Sequence, residues 1–164
     1  MRTHLIILGL LIAGVAQADI RHEAWQVRHQ PDRFVDRVLM EAFADADKGP
    51  ARLSLFCDTE NGFRVMLMPH QALMPEGPAQ VSFRIDGGAA VTLSGNAFGD
   101  DTTDVVTVYD TASIQPALAA ARHVTIRYAG AGGASGELGF TFDGLAAGKP
   151  EVMKICPVGQ PRPR

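Results

Sequence analysis

The most regular pattern of hydrophobic and polar positions in the chain lies between residues 81 and 93. Apolar and polar side chains alternate from residue 81 to residue 86, and the alternation resumes from residue 91 to residue 93. A period of two is that of a β-strand with one face buried. Between the two runs stands Asp86-Gly87-Gly88, and a tight hairpin turn needs residues that accept a positive φ. The pattern predicts a β-hairpin.

Similar runs, separated by turn residues, recur along most of the chain. Asn61-Gly62 lies between two strand-like runs, at 53–57 and 63–67, and is among the strongest local hairpin signals. Residues 33–47 fit one face of a helix and fit a strand equally well, and we prefer a strand at 37–43. Further strands are predicted at 25–28, 105–109, 124–128 and 138–142.

The clearest helical pattern runs from Ser113 to Arg122. Ser113 is the expected N-cap, and Pro116 falls in the first turn, where its missing N–H is tolerated. Ile114, Leu118 and Ala121 would form the buried stripe. Residues 150–156 are compatible with a second short helix.

Seven or eight short strands with one or two short helices indicate a mainly β fold, either an antiparallel β-sandwich or a partly closed barrel. No linker divides the chain, so residues 19–158 are expected to form a single β-rich domain. The tail at 159–164 has nothing to bury and is expected to be disordered.

The first 18 residues have the layout of a secretory signal peptide. A basic start precedes an apolar run at 5–15, and Ala16-Gln17-Ala18 places small residues at both recognition positions. The run is shorter than the roughly 20 residues that a membrane span needs. We therefore expect cleavage after Ala18 and a periplasmic protein with no membrane span after cleavage.

Composition narrows the choice of partners. The formal net charge is −3 for the full chain, and loss of Arg2 with the leader would make it −4. Charges of both signs are mixed along the sequence, with no basic stripe. Nucleic acid is therefore not an expected partner, since phosphate binding needs clustered Lys and Arg.

The two cysteines, Cys57 and Cys156, are expected to form a disulfide in an oxidising compartment. The bridge would close a loop of about 100 residues, for which chain entropy gives an upper figure of about 4–5 kcal/mol. Its expected role is to hold the C-terminal segment to the sheet.

The sequence nominates no catalytic, cofactor-binding or metal-binding residue. The sequence has no paired-histidine zinc motif and no G-x-S-x-G serine motif. The carboxylates at Asp100–Asp104 could contribute to a cation site, since clustered carboxylates raise the affinity for divalent ions. An acidic surface loop is the commoner meaning of such a segment, and the sequence leaves the choice open. Arg84 and Asp86 lie two apart on one face of the predicted hairpin. They form either a surface ion pair or part of a polar recognition face.

Several short segments follow one another in a recognisable order. They are Trp25-Gln26-Val27, Gln30-Pro31-Asp32, Leu53-Ser54-Leu55-Phe56-Cys57, Phe83-Arg84-Ile85-Asp86-Gly87-Gly88, Val124-Thr125-Ile126-Arg127, Phe142-Asp143-Gly144-Leu145 and Cys156. In this order the chain resembles the small periplasmic proteins associated with bacterial type VI secretion (TagO/VasI-like), over about residues 23–157. Phe83 and Ile85 depart from that family's usual aromatic residues. The resemblance implies a non-enzymatic accessory role and carries over no catalytic residue.

These observations lead to one main hypothesis and one alternative. The main hypothesis is an exported, non-enzymatic binding or accessory protein whose partner is another envelope protein or component, with a type VI secretion-associated component as one form. The alternative is a periplasmic inhibitor of a lysozyme-like, envelope-targeting enzyme. A hydrolase acting on envelope polymers is a third, weaker hypothesis, for which the sequence nominates no carboxylate pair.

Overall fold

A computed structural model describes residues 20–22, 25–32, 37–58, 62–70, 74–99 and 104–142. The strands are β1 (Ile20–His22), β2 (Trp25–Asp32), β3 (Arg37–Asp45), β4 (Ala51–Asp58), β5 (Gly62–Pro69), β6 (Gly77–Ile85), β7 (Ala90–Gly99), β8 (Asp104–Val108), β9 (His123–Ala129) and β10 (Ser135–Thr141). One α-helix in this part of the chain, α1 (Gln115–Ala120), joins β8 to β9, and a 3-10 turn at Ala131–Gly133 joins β9 to β10.

All ten strands belong to one antiparallel sheet, in the order β1-β2-β3-β4-β5-β8-β7-β6-β9-β10. The sheet curls into a half-barrel. The mainly β, antiparallel fold is confirmed, and of the two forms predicted it is the partly closed one. The described part has ten strands, more than the seven or eight expected, and the ambiguous segment contributes the strand β3.

The core lies on the concave side of the curled sheet, where side chains from alternate positions of neighbouring strands meet in register. For example, Leu53 lies opposite Leu67, and Phe83 lies opposite Ile126. The largest fully buried side chains are Trp25, Phe83, Phe140, Phe142, Leu53, Leu67, Ile114, Leu118, Ile126, Val65, Val81 and Val106. Burial of such side chains is the main stabilising contribution to a fold of this kind.

On the convex side, Phe43 is buried although it points away from the core. The guanidinium carbons of Arg28 and Arg52 lie 5.3 and 4.6 Å from the centroid of its ring. Cation–π contacts of this kind, together with the aliphatic stems of the arginines, shield an outward aromatic side chain from water.

The two ends of the sheet meet at one corner, which we call the seam and define by Trp25, Asp47, Gly139, Thr141 and Phe142. Trp25 Nε1 donates to the Thr141 carbonyl over 3.0 Å, and the Asp47 N–H donates to the Gly139 carbonyl over 2.9 Å. The Asp47 carboxylate accepts hydrogen bonds from both the N–H and the hydroxyl of Thr141, each at 3.1 Å. The rings of Trp25 and Phe142 pack edge to face, 4.8 Å between centroids. The turn after β3 is therefore hydrogen-bonded to β10, and these bonds hold the two ends of the sheet together at this corner.

The helix differs from its prediction at its start. Ile114 is the N-cap of α1 and no side chain caps it, so the expectation for Ser113 is wrong. The first turn is held instead by the carbonyl of Thr111, which accepts the N–H groups of Ile114 and Gln115. The predicted buried stripe of Ile114, Leu118 and Ala121 is confirmed.

Several predictions fall outside the described residues. They concern the signal peptide at 1–18, the second helix at 150–156, the tail at 159–164 and Cys156. Within the described residues, no helix is both long and apolar enough to cross a membrane.

Candidate functional site

The two residues proposed for a recognition face, Arg84 and Asp86, take different roles in the structure. Arg84 is exposed near the end of β6, opposite Ala90 of β7. Asp86 stands in the hairpin turn at φ +49°. Its Oδ1 accepts the backbone N–H groups of Arg122 and His123, at 3.0 and 2.8 Å. The Asp86 carboxylate thus ties the turn to the connection between α1 and β9.

Hydrogen bonding lowers the pKa of Asp86 below its ordinary value of 3.8, with the N–H of His123 the largest cause and that of Arg122 the next. A lowered folded-state pKa means that the carboxylate adds stability above the unfolded pKa and that this stability is lost as pH falls through the folded pKa. Asp86→Asn keeps the shape and the tolerance of positive φ but removes the charge. We expect D86N to be less stable than wild type near neutral pH.

This difference should shrink as pH falls below about 4, where the unfolded chain takes up the proton first, and should vanish once pH is below the lowered pKa of the folded protein. Urea unfolding of both proteins, from neutral pH down to the lowest pH at which the wild type stays folded, measures it. A gap that stays constant with pH would show that the charge of Asp86 is not what holds the turn.

Beyond the turn, β7 is paired unequally on its two sides. Its pairing with β6 runs from Ala90 to Ala97, whereas its pairing with β8 covers Asn96–Gly99 alone. Among the described residues, Ala90–Ser94 therefore have a neighbouring strand on the β6 side and none on the other. We call these five residues the β7 edge.

Two features explain why β8 leaves β7 at this point. A Cβ at Gly95 would lie 2.7 Å from the carbonyl oxygen of Thr107, so glycine permits a close approach just before the strands part. After β8 the chain follows β5 instead, because the buried Thr111 hydroxyl donates to the carbonyl of Phe63 over 3.0 Å. This hydrogen bond directs the chain towards α1 and away from the β7 edge.

Thr111→Val should lower the free energy of unfolding by about 1–3 kcal/mol, since it leaves the Phe63 carbonyl without its buried donor. Thr111→Ser keeps the hydroxyl and is the matched control, expected to cost less. Denaturant unfolding followed by circular dichroism compares them. Equal stability of Thr111→Val and wild type would contradict the role given to this hydrogen bond.

The strand register fixes which backbone groups of the β7 edge point outward. The Asp86 N–H donates to the His123 carbonyl, so even-numbered residues of β6 direct their backbone groups to β9 and odd-numbered ones to β7. Val91, opposite Phe83, and Leu93, opposite Val81, are then the residues bonded to β6. The N–H and C=O groups of Ala90, Thr92 and Ser94 consequently point away from β6, to the side with no described strand.

The side chains of the β7 edge divide by face. Val91 and Leu93 lie on the concave side, where Val91 is 40% exposed and Leu93 is half-buried. On the convex side, the Thr92 hydroxyl is hydrogen-bonded to that of Ser82 at 2.7 Å, and Gln80 Nε2 donates to Ser94 Oγ at 3.5 Å. The edge thus offers an apolar stripe on one face and small polar groups on the other.

The large exposed apolar residues of the described chain lie on or next to the same strand, with Val91 and Phe98 on opposite faces of it. Val91, Phe98 and Tyr109 are the large hydrophobic residues with exposures of 36–42%. Val91 and Phe98 lie on β7, and Tyr109 directly follows β8. Residues 87–99 also contain no charged residue and no proline, although 20% of the whole chain is charged. Two of the usual devices that protect an edge strand from pairing, charged side chains and proline, are therefore missing from this segment.

The other predicted sites are only partly placed. Cys57 is fully buried in β4, opposite Met40 and Phe63. Its disulfide with Cys156 stays a prediction, because Cys156 lies outside the described residues. Asp104 is buried at the start of β8, while residues 100–103 are likewise not described. Within the described ranges, no group of three or more His, Cys, Asp or Glu side chains is placed to hold a metal ion.

Comparisons of the chain with protein-family models, with curated proteins and with solved structures find no match. The resemblance to type VI secretion proteins therefore rests on the short motifs quoted above alone.

Sequence reasoning found the β6–β7 hairpin but did not single out the residues that now mark the candidate site, which are Val91, Thr92, Ser94 and Phe98. One available signal was the uncharged run from 87 to 99. A strand that lacks charge and proline over this length is either covered by a neighbour or open to a partner.

Proposed function

We propose that this chain is a non-enzymatic, protein-binding module of the bacterial envelope, and that β7 carries its binding surface. The observation that supports this most is that β7 combines an edge with no described neighbouring strand at Ala90–Ser94 with exposed apolar side chains on both faces, Val91 on the concave face and Phe98 on the convex face. An unpaired strand edge that lacks charges and carries exposed apolar side chains is typical of surfaces that bind another protein.

The periplasmic part of the proposal is supported by sequence. The leader-like segment at 1–18 and the even number of cysteines are features of exported chains. The resemblance to TagO/VasI-like proteins gives this module one concrete form, an accessory to type VI secretion. The inhibitor alternative is tested separately, by asking whether the protein protects cell walls from a panel of lysozymes.

The binding surface is tested with immobilised protein and solubilised envelope extract. Phe98→Ser and Val91→Ser should each reduce recovery of a specific partner at least about tenfold, as expected if the partner covers the apolar residues on both faces of β7. Arg127→Ser is the control, because its side chain is 73% exposed on β9, which β6 separates from β7. Equal recovery by all three variants, or recovery of no specific partner by wild type, would contradict the proposal.

The disulfide is tested by mass. In the exported protein, we expect the intact mass under non-reducing conditions to be two hydrogens below that of the reduced chain, since both cysteines would be oxidised. A count of two free thiols in the unreduced, denatured protein would refute the bridge between Cys57 and Cys156.

A further inference from the structure

We propose that the β7 edge binds an extended segment of a partner protein as an additional antiparallel strand of the sheet. This inference rests on the proposed function and specifies how the partner is held. The backbone supports it first: Ala90, Thr92 and Ser94 direct both their N–H and C=O groups to the open side of β7. Strand addition satisfies such groups in a ladder, which gives affinity without requiring a deep pocket.

The side chains of the edge define the chemistry of the added strand. Residues of the segment that share the concave face would lie beside Val91 and Leu93, so apolar residues suit these positions. Residues on the convex face would lie beside Thr92 and Ser94, so small polar residues suit those. A charged residue within the paired stretch would find no counter-charge between residues 87 and 99. The expected occupant is an uncharged segment in which apolar and small polar residues alternate.

The antiparallel direction follows from the neighbouring strand. β8 already runs antiparallel to β7 along Asn96–Gly99, and the added strand would occupy the place that β8 leaves. Every described pairing in the sheet is also antiparallel.

A partner segment fits this edge better than a second copy of the chain. Five residues of strand span only about 17 Å. A stable protein–protein interface buries roughly 1,200–2,000 Å² in total, more than the pairing of two such short edges would provide. A single extended segment, by contrast, takes its affinity from the backbone ladder along the β7 edge and needs no such area.

Strand β10, at the end of the sheet, is a poorer site for addition. Its outer backbone groups at Gly139 and Thr141 already bond to Asp47 and Trp25 at the seam. Nearer its start, Glu137 forms a 2.6 Å ion pair with Arg127, and charges of this kind discourage strand pairing.

The experiment uses the exported full chain and a fluorescein-labelled peptide of alternating valine and threonine with a lysine at each end. In the proposed register the threonines of the peptide lie opposite Thr92 and Ser94, so their N–H groups face β7. We expect saturable binding by fluorescence anisotropy. N-methylation of the threonines should weaken binding at least tenfold, and N-methylation of the valines should leave it within about threefold. If methylation of the valines weakens binding more than methylation of the threonines, the antiparallel register is wrong. If both methylated peptides bind equally well, strand addition is wrong.

The protein side is tested with Thr92→Pro, which removes an N–H that points away from β6 and so leaves the β6 ladder intact. Thr92→Ala retains this N–H and is the control. We expect at least tenfold weaker peptide binding for Thr92→Pro and little change for Thr92→Ala. Circular dichroism verifies folding, and Val91→Lys, at an already exposed position, gives a second variant expected to lose binding. Wild-type affinity in Thr92→Pro and Val91→Lys would overturn the proposal.

The same variants separate this inference from the proposed function. If recovery of the envelope partner depends on Phe98 but is unaffected by Thr92→Pro, the binding function stands and strand addition is wrong. If no partner is recovered while the peptide binds as predicted, the edge accepts a strand and the proposed envelope function is wrong.

Discussion

Trp25→Ala is expected to lower the free energy of unfolding by about 3–5 kcal/mol, the range for removing a large buried aromatic side chain. Trp25 is fully buried, packs edge to face on Phe142 and donates its indole N–H to the Thr141 carbonyl. Its removal would leave a cavity at the seam and would free the corner at which the two ends of the sheet meet. Urea unfolding followed by far-ultraviolet circular dichroism measures the change.

Trp25→Phe is the matched control for this prediction. It keeps an aromatic ring beside Phe142 but loses the N–H donor, so we expect a smaller loss of about 1–3 kcal/mol. The chain has a single tryptophan, and its fluorescence in the wild type therefore reports on the seam alone. A loss below about 1 kcal/mol for Trp25→Ala would contradict closure of the half-barrel at this corner.

Phe83→Ala is expected to destabilise the protein by a similar 3–5 kcal/mol, whereas Val91→Ala should cost about 1 kcal/mol or less. The two residues lie directly opposite each other on the concave face of the β6–β7 hairpin. Phe83 is 1% exposed and Val91 is 40% exposed. The hairpin thus has one strand inside the core and one strand whose end lies outside it.

Denaturant unfolding of the two alanine variants tests this asymmetry. Arg84→Ala, at an exposed position between them in sequence, should be within about 0.5 kcal/mol of wild type. A cost for Val91→Ala as large as that for Phe83→Ala would mean that the concave side of β7 is covered, and would remove the main support for the proposed binding surface.

The sequence pattern was most informative where local signals decide structure. The alternation from 81 to 93 and the Asp86-Gly87-Gly88 turn gave the correct hairpin, with positive φ at Asp86 and Gly87. The hairpin predicted from Asn61-Gly62 is also correct, since β4 and β5 pair as antiparallel neighbours and β5 begins at Gly62, which has a positive φ. These elements depend on residues close together in the chain, so the pattern contains most of the relevant information.

The pattern of hydrophobic and polar positions could not predict that Val91 is exposed to solvent. Alternation shows which side chains share a face, but it does not show whether another element covers that face. The opening of the β7 edge depends on β8 pairing with β5 and on the Thr111–Phe63 hydrogen bond, between residues 48 positions apart. Contacts at such separations leave no periodic trace in the sequence.

The role of Asp86 shows the same limit at a single residue. Its spacing from Arg84 suggested an ion pair or a shared recognition face. In the structure its carboxylate binds backbone N–H groups 36 and 37 residues away. A carboxylate next to two glycines in a turn can accept backbone N–H groups from a neighbouring segment. The sequence did not show which segment would lie next to this turn.

We expect the β7 edge to be open in the free protein and to present alternate backbone groups to a partner strand. Amide hydrogen exchange, resolved by residue with NMR, tests it most directly. The amides of Thr92 and Ser94 should exchange much faster than those of Val91 and Leu93, whose N–H groups bond to β6. Strong protection of Thr92 and Ser94, equal to that of Val91 and Leu93, would show that another part of the chain or a second copy already covers the edge, and would contradict the account.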